Sequence, residues 1–257
     1  SLLKKAGVYI EIADFIGHTE GEAAVELGCG SGELMEAMRP WNPDIAFIGM
    51  DMNPHLLEAA EGKFPKEESV RRFANFAFDE KPGVGIRMNP MYRSFMLEGG
   101  AVSLILDDIR YMNSTRTALK ESRMVPTLFT LVFPSPSSHL ELEHEWYNPH
   151  DEVVVRKAID TMYISAMKKA ADMMPSGGKL VLGEALSAGS DNIVRVFERM
   201  NESFCGGCYR VEATRNLSRD RIRGYQELYA KSENDFSRVK PSFNEGEYFV
   251  LVKLERK

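Results

Sequence analysis

The chain has 257 residues, of which 44% are hydrophobic and 27% charged, and its formal net charge is −6. A chain of this length can bury a full core, and its composition is that of an ordinary globular protein. The acidic balance disfavours a large cationic footprint for nucleic acid, and no apolar run reaches the ~20 residues that a membrane span needs.

The first 20 residues and the cysteines indicate in which cellular compartment the protein is expected. Residues 1–20 carry apolar side chains at helical spacing, so we predict a leading amphipathic helix over 2–17 rather than an export signal. Three cysteines cannot form a disulfide framework, and we therefore expect a cytoplasmic protein. Cys205 and Cys208 form a solitary CxxC, which we interpret as a loop of small residues; no metal site is expected.

Strands and helices alternate along the rest of the chain. Apolar positions at helical spacing predict helices at 32–38, 55–63, 152–174 and 191–204, with Pro40 ending the first and Asn53 capping the second. Because parallel strands need crossover connections, the alternation predicts an α/β fold, in which helices cover both faces of a parallel sheet. Buried apolar runs place its strands at 23–27, 45–50, 101–106, 128–133, 179–184, 209–213 and 248–254.

Residues 64–100 interrupt this alternation. The segment is longer than a usual connection between elements, and it contains a turn at 81–83. Its last part, RMNPMYRSFMLEGG at 87–100, predicts an extra hairpin or helix. We interpret 64–100 as an insertion near the edge of the site, within a single domain that spans 1–257.

Three glycines follow the first buried strand at alternate positions, Gly28, Gly30 and Gly32. In an open α/β sheet this turn lies beside the ligand. Dinucleotide-binding turns space their glycines as GxGxxG, and the third position of that pattern is Glu33 here. A carboxylate at a helix N-terminus repels a pyrophosphate, so we expect a ligand without phosphates.

The segment ELGCGSG at 26–32 resembles the first motif of class I S-adenosylmethionine-dependent methyltransferases. Three further motifs of that family follow in the family's order: FIGMDMNP at 47–54, LDDIR at 106–110 and MMPSGGKLVL at 173–182. Four motifs on the expected elements are more specific than one glycine-rich turn. The resemblance implies a methyltransferase that uses S-adenosylmethionine, and a Rossmann-like, doubly wound, mostly parallel seven-stranded sheet with an antiparallel C-terminal strand.

The resemblance also implies roles for individual residues. Asp51 matches the carboxylate that holds the ribose hydroxyls, and an acceptor-only group suits a diol. Asp108 matches the acceptor of the adenine amino group, with Asp107 as the alternative and Arg110 as a competing salt-bridge partner. Glu26 is expected near the methionine amino group. The cofactor-binding residues predicted in this way are Glu26, Gly28, Cys29, Gly30, Gly32, Asp51, Met52, Asp108, Ile109 and Phe133.

The resemblance places the methyl acceptor beside the loop after the fourth predicted strand, FPSPSSH at 133–139. Its catalytic candidates are Ser135 and His139, and His144 follows nearby. A histidine titrates near neutral pH and suits a general base. The alternative is that both histidines are surface residues of a polar loop. The cofactor carries its own leaving group, so alignment of the acceptor can suffice without a base.

Two observations bear on RNA as the acceptor. The FPSP segment at 133–136 resembles the opening of a tRNA guanine N7 methyltransferase motif, but acidic Glu141, Glu143 and Glu145 stand where that motif continues with basic residues. The best case for a nucleic-acid surface comes from the cluster Arg215, Arg219, Arg221 and Arg223, with Tyr225 as a stacking surface, and its alternative is a solvated segment.

We therefore predict a methyltransferase with a small-molecule acceptor. An RNA methyltransferase is the first alternative, and a non-catalytic S-adenosylmethionine-binding partner subunit is the second. The acceptor atom and the oligomeric state are not specified by the sequence.

Overall fold

Buried apolar runs form one eight-stranded sheet in the computed structural model, which describes residues 2–64, 93–97, 100–132, 134, 152–186, 190–217 and 248–257. The central strands are apolar on both faces, as strands of a sheet covered on both sides must be. In chain order the strands are β1 (Ala23–Leu27), β2 (Ala46–Asp51), β3 (Arg93–Leu97), β4 (Gly100–Leu106), β5 (Pro126–Val132), β6 (Lys179–Leu186), β7 (Tyr209–Asn216) and β8 (Tyr248–Arg256).

Helices connect the strands and lie on both faces of the sheet. Asn53 caps the fourth helix as expected, because its side chain accepts hydrogen bonds from the backbone N–H groups of His55 and Leu56. None of the helices in the described part of the chain is both long and apolar enough to span a membrane. The helices are α1 (Leu2–Lys5), α2 (Val8–Ile16), α3 (Glu33–Met38), α4 (Pro54–Glu61), α5 (Asn113–Ser122), α6 (Glu152–Met173) and α7 (Ser190–Cys205), with a 3₁₀ turn at Arg39–Trp41.

The strand order is β3-β4-β2-β1-β5-β6-β8-β7. The five strands from β4 to β6 pair in parallel, whereas β8 pairs antiparallel with β6 and with β7. This arrangement confirms the Rossmann-like, mostly parallel sheet and its antiparallel C-terminal strand. The chain leaves β1 toward β2 on one side and later returns to β5 on the other, so the switch point of the sheet lies at the carboxyl end of β1.

The sheet divides the core into two apolar layers. Val25 and Leu27 point into the layer beneath α6 and α7, where the rings of Tyr163 and Phe197 meet edge to face with their centroids 5.0 Å apart. Ala24 points into the opposite layer, which α2, α3 and α4 cover. Alternation along β1 therefore places Glu26 on the α3 side of the sheet.

Three features differ from the sequence prediction. The leading helix is divided into α1 and α2 at Gly7, whose φ is +72°. The sheet has one strand more than predicted, because β3 pairs antiparallel with β4 at the edge, within the interpreted insertion. Helix α5 was not predicted, since its sequence NSTRTALKES has few apolar positions.

Candidate functional site

The turn after β1 has a backbone conformation that favours glycine at three positions. Gly28, Gly30 and Gly32 have φ values of +67°, +52° and +76°. A Cβ at Gly32 would lie 3.2 Å from Phe64 and 3.3 Å from Ala60, so this glycine permits close packing of α3 against α4. A Cβ at Gly30 would meet no atom of the described residues within 4 Å. Among these residues, Gly30 therefore faces open space, and its positive φ is what favours glycine there.

Asp51 ends β2 and holds the glycine turn in place. Its Oδ2 accepts a hydrogen bond from the Gly30 backbone N–H at 2.9 Å, and its Oδ1 accepts one from Asn53 N–H at 2.8 Å. Burial raises the pKa of Asp51, and the N–H donors of Asn53, Gly30 and Met52 offset part of that rise. The structure thus brings together two motifs, the glycine turn and the acidic strand end, that lie far apart in the sequence.

Two further carboxylates, Glu26 and Glu33, lie close to Asp51 and to each other. Glu26 is buried in β1, and its Oε2 accepts a hydrogen bond from the Met35 backbone N–H at 3.2 Å. Burial raises the pKa of Glu26 well above its usual value, and the nearby charges of Glu33 and Asp51 raise it further. A cation or a donor that approaches Glu26 would lower this raised pKa and favour the carboxylate.

Glu33, the residue that breaks the dinucleotide pattern, is itself paired. Burial by itself would raise its pKa, but hydrogen bonds from Lys63 and Ser31 outweigh that effect and lower it. The Lys63 Nζ lies 2.8 Å from Glu33 Oε1, and the Ser31 hydroxyl donates to the same oxygen at 2.7 Å. Because Lys63 balances the charge of Glu33, the repulsion of a phosphate is weaker than the sequence alone indicated.

Asp107 and Asp108 follow β4 and have separate partners. Asp107 Oδ2 accepts hydrogen bonds from the backbone N–H and the hydroxyl of Thr115, at 2.8 and 2.9 Å, so Asp107 stabilises the start of α5. Asp108 instead forms an ion pair with Arg110, whose Nη2 lies 2.6 Å from Oδ2. Of the two alternatives, Asp108 is the carboxylate that is not used to hold a helix.

The remaining predicted cofactor residues lie around the turn. Ile109 is buried, and its Cδ1 would be 3.9 Å from a Cβ at Gly28, so it borders the turn directly. Met52 is half-buried beside Asp51. Cys29 is buried, its N–H donates to Met50 O at 2.9 Å, and burial raises the pKa of its thiol well above the usual range. Cys29 therefore contributes packing and backbone geometry rather than a thiolate.

Several predicted residues lie outside the part of the chain that the structure describes. They are Phe133, Ser135, His139, His144, Glu141, Glu143, Glu145, Arg219, Arg221, Arg223 and Tyr225. The roles predicted for them remain predictions.

Arg215, the first of the four clustered arginines, has partners within the protein. Its Nη1 lies 2.6 Å from Asp14 Oδ2, and its guanidinium lies 5.1 Å from the centre of the Phe15 ring. Lys253 also approaches the Phe15 ring, at 5.0 Å. Arg215 therefore joins β7 to α2, as a structural contact that the sequence did not reveal.

A polar network that the sequence analysis missed lies at the carboxyl end of β6. Glu184 Oε2 lies 3.3 Å from Arg156 Nη1, and the other terminal nitrogen of Arg156 lies 2.7 Å from Asp160 Oδ1. The Tyr163 hydroxyl donates to the carbonyl of Gly183 at 2.6 Å. Arg156 and Asp160 are four residues apart on a predicted helix, which was the available signal; the contact across 28 positions to Glu184 carried none.

The two cysteines of the CxxC sequence lie at the end of α7 and the start of β7. Both pack against the core, and burial raises the pKa of Cys205 to about 11. Gly206 and Gly207 between them have φ values of +63° and +72°, as a tight turn between helix and strand requires. Within the described residues no group of three or more metal-ligating side chains occurs, at this turn or elsewhere.

Comparison with protein-family models and with curated protein sequences gives no match. Solved structures do match over nearly the whole chain. The cyclopropane synthase MmaA2 from Mycobacterium tuberculosis has a TM-score of 0.53 at 11% identity, covering 97% of this chain and 83% of that one. The geranyl diphosphate C-methyltransferase from Streptomyces coelicolor A3(2), in complex with S-adenosylhomocysteine, has a TM-score of 0.51 at 10% identity, covering 96% and 80%.

A third match is the [4+2]-cyclase SpnF, with a TM-score of 0.52 at 10% identity, covering 96% of this chain and 80% of that one. At such identities the likeness shows the fold alone. It confirms the class I methyltransferase fold that the sequence motifs indicated. Because one of these structures is named as a cyclase, the fold by itself does not specify the reaction.

Proposed function

We propose that this chain binds S-adenosylmethionine at the carboxyl ends of β1, β2 and β4 and transfers its methyl group to a small-molecule acceptor. The observation that carries the proposal is the hydrogen bond from Gly30 N–H to Asp51. It holds an open glycine turn and an acidic strand end side by side at the switch point of the sheet, where ligands of α/β proteins bind. A solved neighbour in complex with S-adenosylhomocysteine supports the same ligand class.

The described residues fit the groups of this cofactor. Asp51 retains acceptor capacity for the ribose hydroxyls beside its bonds to the turn, because a carboxylate can accept about four hydrogen bonds. Glu26, buried under the turn, suits the ammonium of the methionine end, and Asp108 suits the adenine amino group. Gly28 and Gly30 admit the ligand close to the backbone.

The cofactor, when bound, supplies an activated methyl group and its own leaving group. The residues of the chain therefore have to bind, orient and exclude water, and the acceptor has to be aligned with the methyl. Ser135 and His139, which follow β5, remain our candidates for orienting or deprotonating the acceptor. Glu184 lies near the end of the adjacent strand β6 and is paired with Arg156 of helix α6, and we add both as polar residues of the acceptor side.

Charge supports a small molecule over RNA as the acceptor. The chain carries a net charge of −6, and a polyanion would have to be held by local cations. Arg215, the described member of the arginine cluster, is paired with Asp14 and stacked on Phe15. It would have to give up these contacts to bind a phosphate.

Calorimetric titration with S-adenosylhomocysteine, beside NADH as the control dinucleotide, tests the cofactor. We expect micromolar binding of the first and none of the second. The chain offers a matched pair of variants, since Gly30 and Gly177 both have positive φ, +52° and +83°, and in neither case would a Cβ meet an atom of the described part of the chain within 4 Å. Each alanine should cost about 1 to 2 kcal/mol of folding stability, but only Gly30→Ala should lower the affinity for S-adenosylhomocysteine. Equal affinities of the two variants would remove the turn from the site.

A labelled-methyl assay tests the acceptor. The protein, labelled S-adenosylmethionine and a cell extract are incubated, and label is counted in the small-molecule and RNA fractions. Label in the small-molecule fraction supports the proposal, whereas label in RNA favours the first alternative. Tight cofactor binding without label in either fraction would indicate a non-catalytic partner subunit.

A further inference from the structure

The side chain of Arg110 folds back over the carboxylate of Asp108. Oδ1 of Asp108 accepts from the Arg110 backbone N–H at 2.8 Å and from its Nε at 3.1 Å, and Oδ2 accepts from Nε at 3.0 Å and from Nη2 at 2.6 Å. A carboxylate has about four lone-pair sites. Three N–H groups of Arg110 therefore contact the carboxylate that we assign to the adenine amino group, and because Nε–H is shared between both oxygens, each oxygen has two Arg110 contacts.

This arrangement is held from both sides at the edge of the proposed site. The Arg110 guanidinium lies 5.2 Å from the centre of the Tyr111 ring, so it is sandwiched between a carboxylate and an aromatic face. The Asp108 side chain is 11% exposed and that of Arg110 20%. Ile109, between them in sequence, borders Gly28 of the ligand turn. The ion pair thus lies next to the turn rather than on a remote surface.

We propose that Arg110 is a specificity-determining residue that competes with the ligand for Asp108. The inference rests on the proposed function, because it concerns the base end of the same cofactor site. Each Asp108 oxygen already has two Arg110 contacts, so an amino group that donates to Asp108 has to weaken or displace one of them, first of all the shared Nε–H contact. The bond gained by an adenine base is therefore an exchange, and a purine base without the amino group neither displaces Arg110 nor gains a bond.

The exchange predicts an effect of opposite sign to that of an ordinary supporting residue. If Arg110 merely orients Asp108, its removal lowers the affinity for the ligand. If Arg110 competes, its removal leaves the Asp108 carboxylate without these donors and raises the affinity for any ligand that donates a hydrogen bond to it. Removing the Arg110 guanidinium should raise the affinity for a ligand with the amino group roughly tenfold, because a hydrogen bond to a charged group usually contributes about that much.

The test is calorimetric titration of the wild-type chain, Arg110→Met and Arg110→Lys with two ligands: S-adenosylhomocysteine and its analogue whose base is purine without the amino group. We expect Arg110→Met to bind S-adenosylhomocysteine about tenfold more tightly and the analogue with unchanged affinity. Arg110→Lys, which keeps the charge but loses the planar fork, should lie between. If a thermal melt shows that Arg110→Met does not fold, the comparison of Arg110→Lys with the wild-type chain is the test.

Two results would overturn the inference. Weaker binding of S-adenosylhomocysteine by both variants would make Arg110 a supporting residue of Asp108, and equal shifts for both ligands would show that the amino group is not read there. Failure of the proposed function looks different: the wild-type chain would then bind neither ligand. Asp51→Ala is the internal reference, since it should weaken both ligands through the ribose whatever the role of Arg110.

Discussion

The two halves of the sheet's carboxyl edge are held together by different kinds of contact. On the β1, β2 and β4 side, carboxylates accept hydrogen bonds from backbone N–H groups, as Asp51 does from Gly30 and Asp107 from Thr115, in addition to side-chain ion pairs such as Asp108 with Arg110. On the β6 side, the Glu184 carboxylate is paired with the side chain of Arg156, and the contact to the backbone is made by the Tyr163 hydroxyl instead. Contacts to the backbone depend on the path of the chain, whereas contacts between side chains can be exchanged one residue at a time.

This difference suits the proposed division of labour. A cofactor site has to keep one shape, and a carboxylate that organises the turn on which the ligand lies provides it. An acceptor site has to vary among proteins of one fold, and replaceable side chains on a constant sheet allow that. We therefore expect changes on the first side to affect ligand binding and folding together, and changes on the second side to separate them.

The largest expected effect is that of Asp51→Ala. The substitution removes the acceptor for the N–H groups of Gly30 and Asn53 as well as the proposed ribose contact. We expect S-adenosylhomocysteine binding to weaken by about 1 to 3 kcal/mol, measured by titration, with a lower melting temperature. Asp51→Asn keeps one acceptor oxygen and should lose less. Unchanged affinity in Asp51→Ala would contradict the backbone-held side of the comparison.

The next effect tests the other side. Tyr163→Phe removes the hydrogen bond to Gly183 O and should lower the free energy of unfolding in urea by about 1 kcal/mol. Affinity for S-adenosylhomocysteine should not change, because β6 is separated from β1 by β5. Tyr209→Phe is the matched control, since Tyr209 is also buried and donates to a carbonyl, that of Met167, at 2.8 Å.

Both tyrosine variants should lose similar stability, but only Tyr163→Phe should slow methyl transfer, because the hydroxyl that it removes interacts with Glu184. Equal transfer rates in the two variants would remove the β6 network from the acceptor side. A loss of cofactor affinity in Tyr163→Phe would show that the two sides are coupled rather than separate.

A third effect depends on pH. Burial raises the pKa of Glu26 in the folded state, so the folded chain binds a proton more tightly than the unfolded chain at this residue. Stability is then lost as pH rises from the unfolded pKa through the folded one. Glu26→Gln cannot ionise and can still accept from Met35 N–H, so in urea unfolding we expect it to match the wild-type chain at pH 4 and to exceed it at pH 8.

Glu33→Gln should change the pH dependence of stability in the direction opposite to Glu26→Gln. The folded pKa of Glu33 is lowered overall, because the Lys63 and Ser31 hydrogen bonds outweigh the opposing effect of burial. Its charge therefore contributes stability above the unfolded pKa, and that contribution is lost as pH falls through the folded pKa. We expect Glu33→Gln to be less stable than the wild-type chain at pH 8. The same pH trend in both variants would mean that the pKa of Glu26 is not raised in the folded protein.

The smallest expected effect is that of Arg215→Ala. The variant loses an ion pair to Asp14 at a partly exposed position and a cation–π contact to Phe15, worth at most about 1 kcal/mol together. Cofactor affinity should be unaffected. Binding of a generic RNA, followed as a function of salt, should be equally weak in both proteins. A clear loss of salt-dependent RNA binding in the variant would favour the RNA alternative.

Local patterns in the sequence were sufficient for the central part of the fold. Buried runs, the helix stop at Pro40 and the N-cap at Asn53 located β1, α3, β2 and α4 to within a few residues, because propensity, capping and burial agree there. Helix α5 escaped prediction because its start is stabilised from outside, by the carboxylate of Asp107. Strand β3 remained ambiguous because pairing with β4, rather than its own pattern, makes it a strand.

By itself, the sequence determined the mostly parallel sheet, seven of the eight described strands and the glycine turn after β1, since each of these follows from short-range spacing and from the buried character of the strands. Only the tertiary structure decided which charges are paired: Glu33 with Lys63, Asp108 with Arg110, Glu184 with Arg156 and Arg215 with Asp14. An ion pair depends on where side chains meet in space, and two of these four pairs, Glu184 with Arg156 and Arg215 with Asp14, join a strand to a helix.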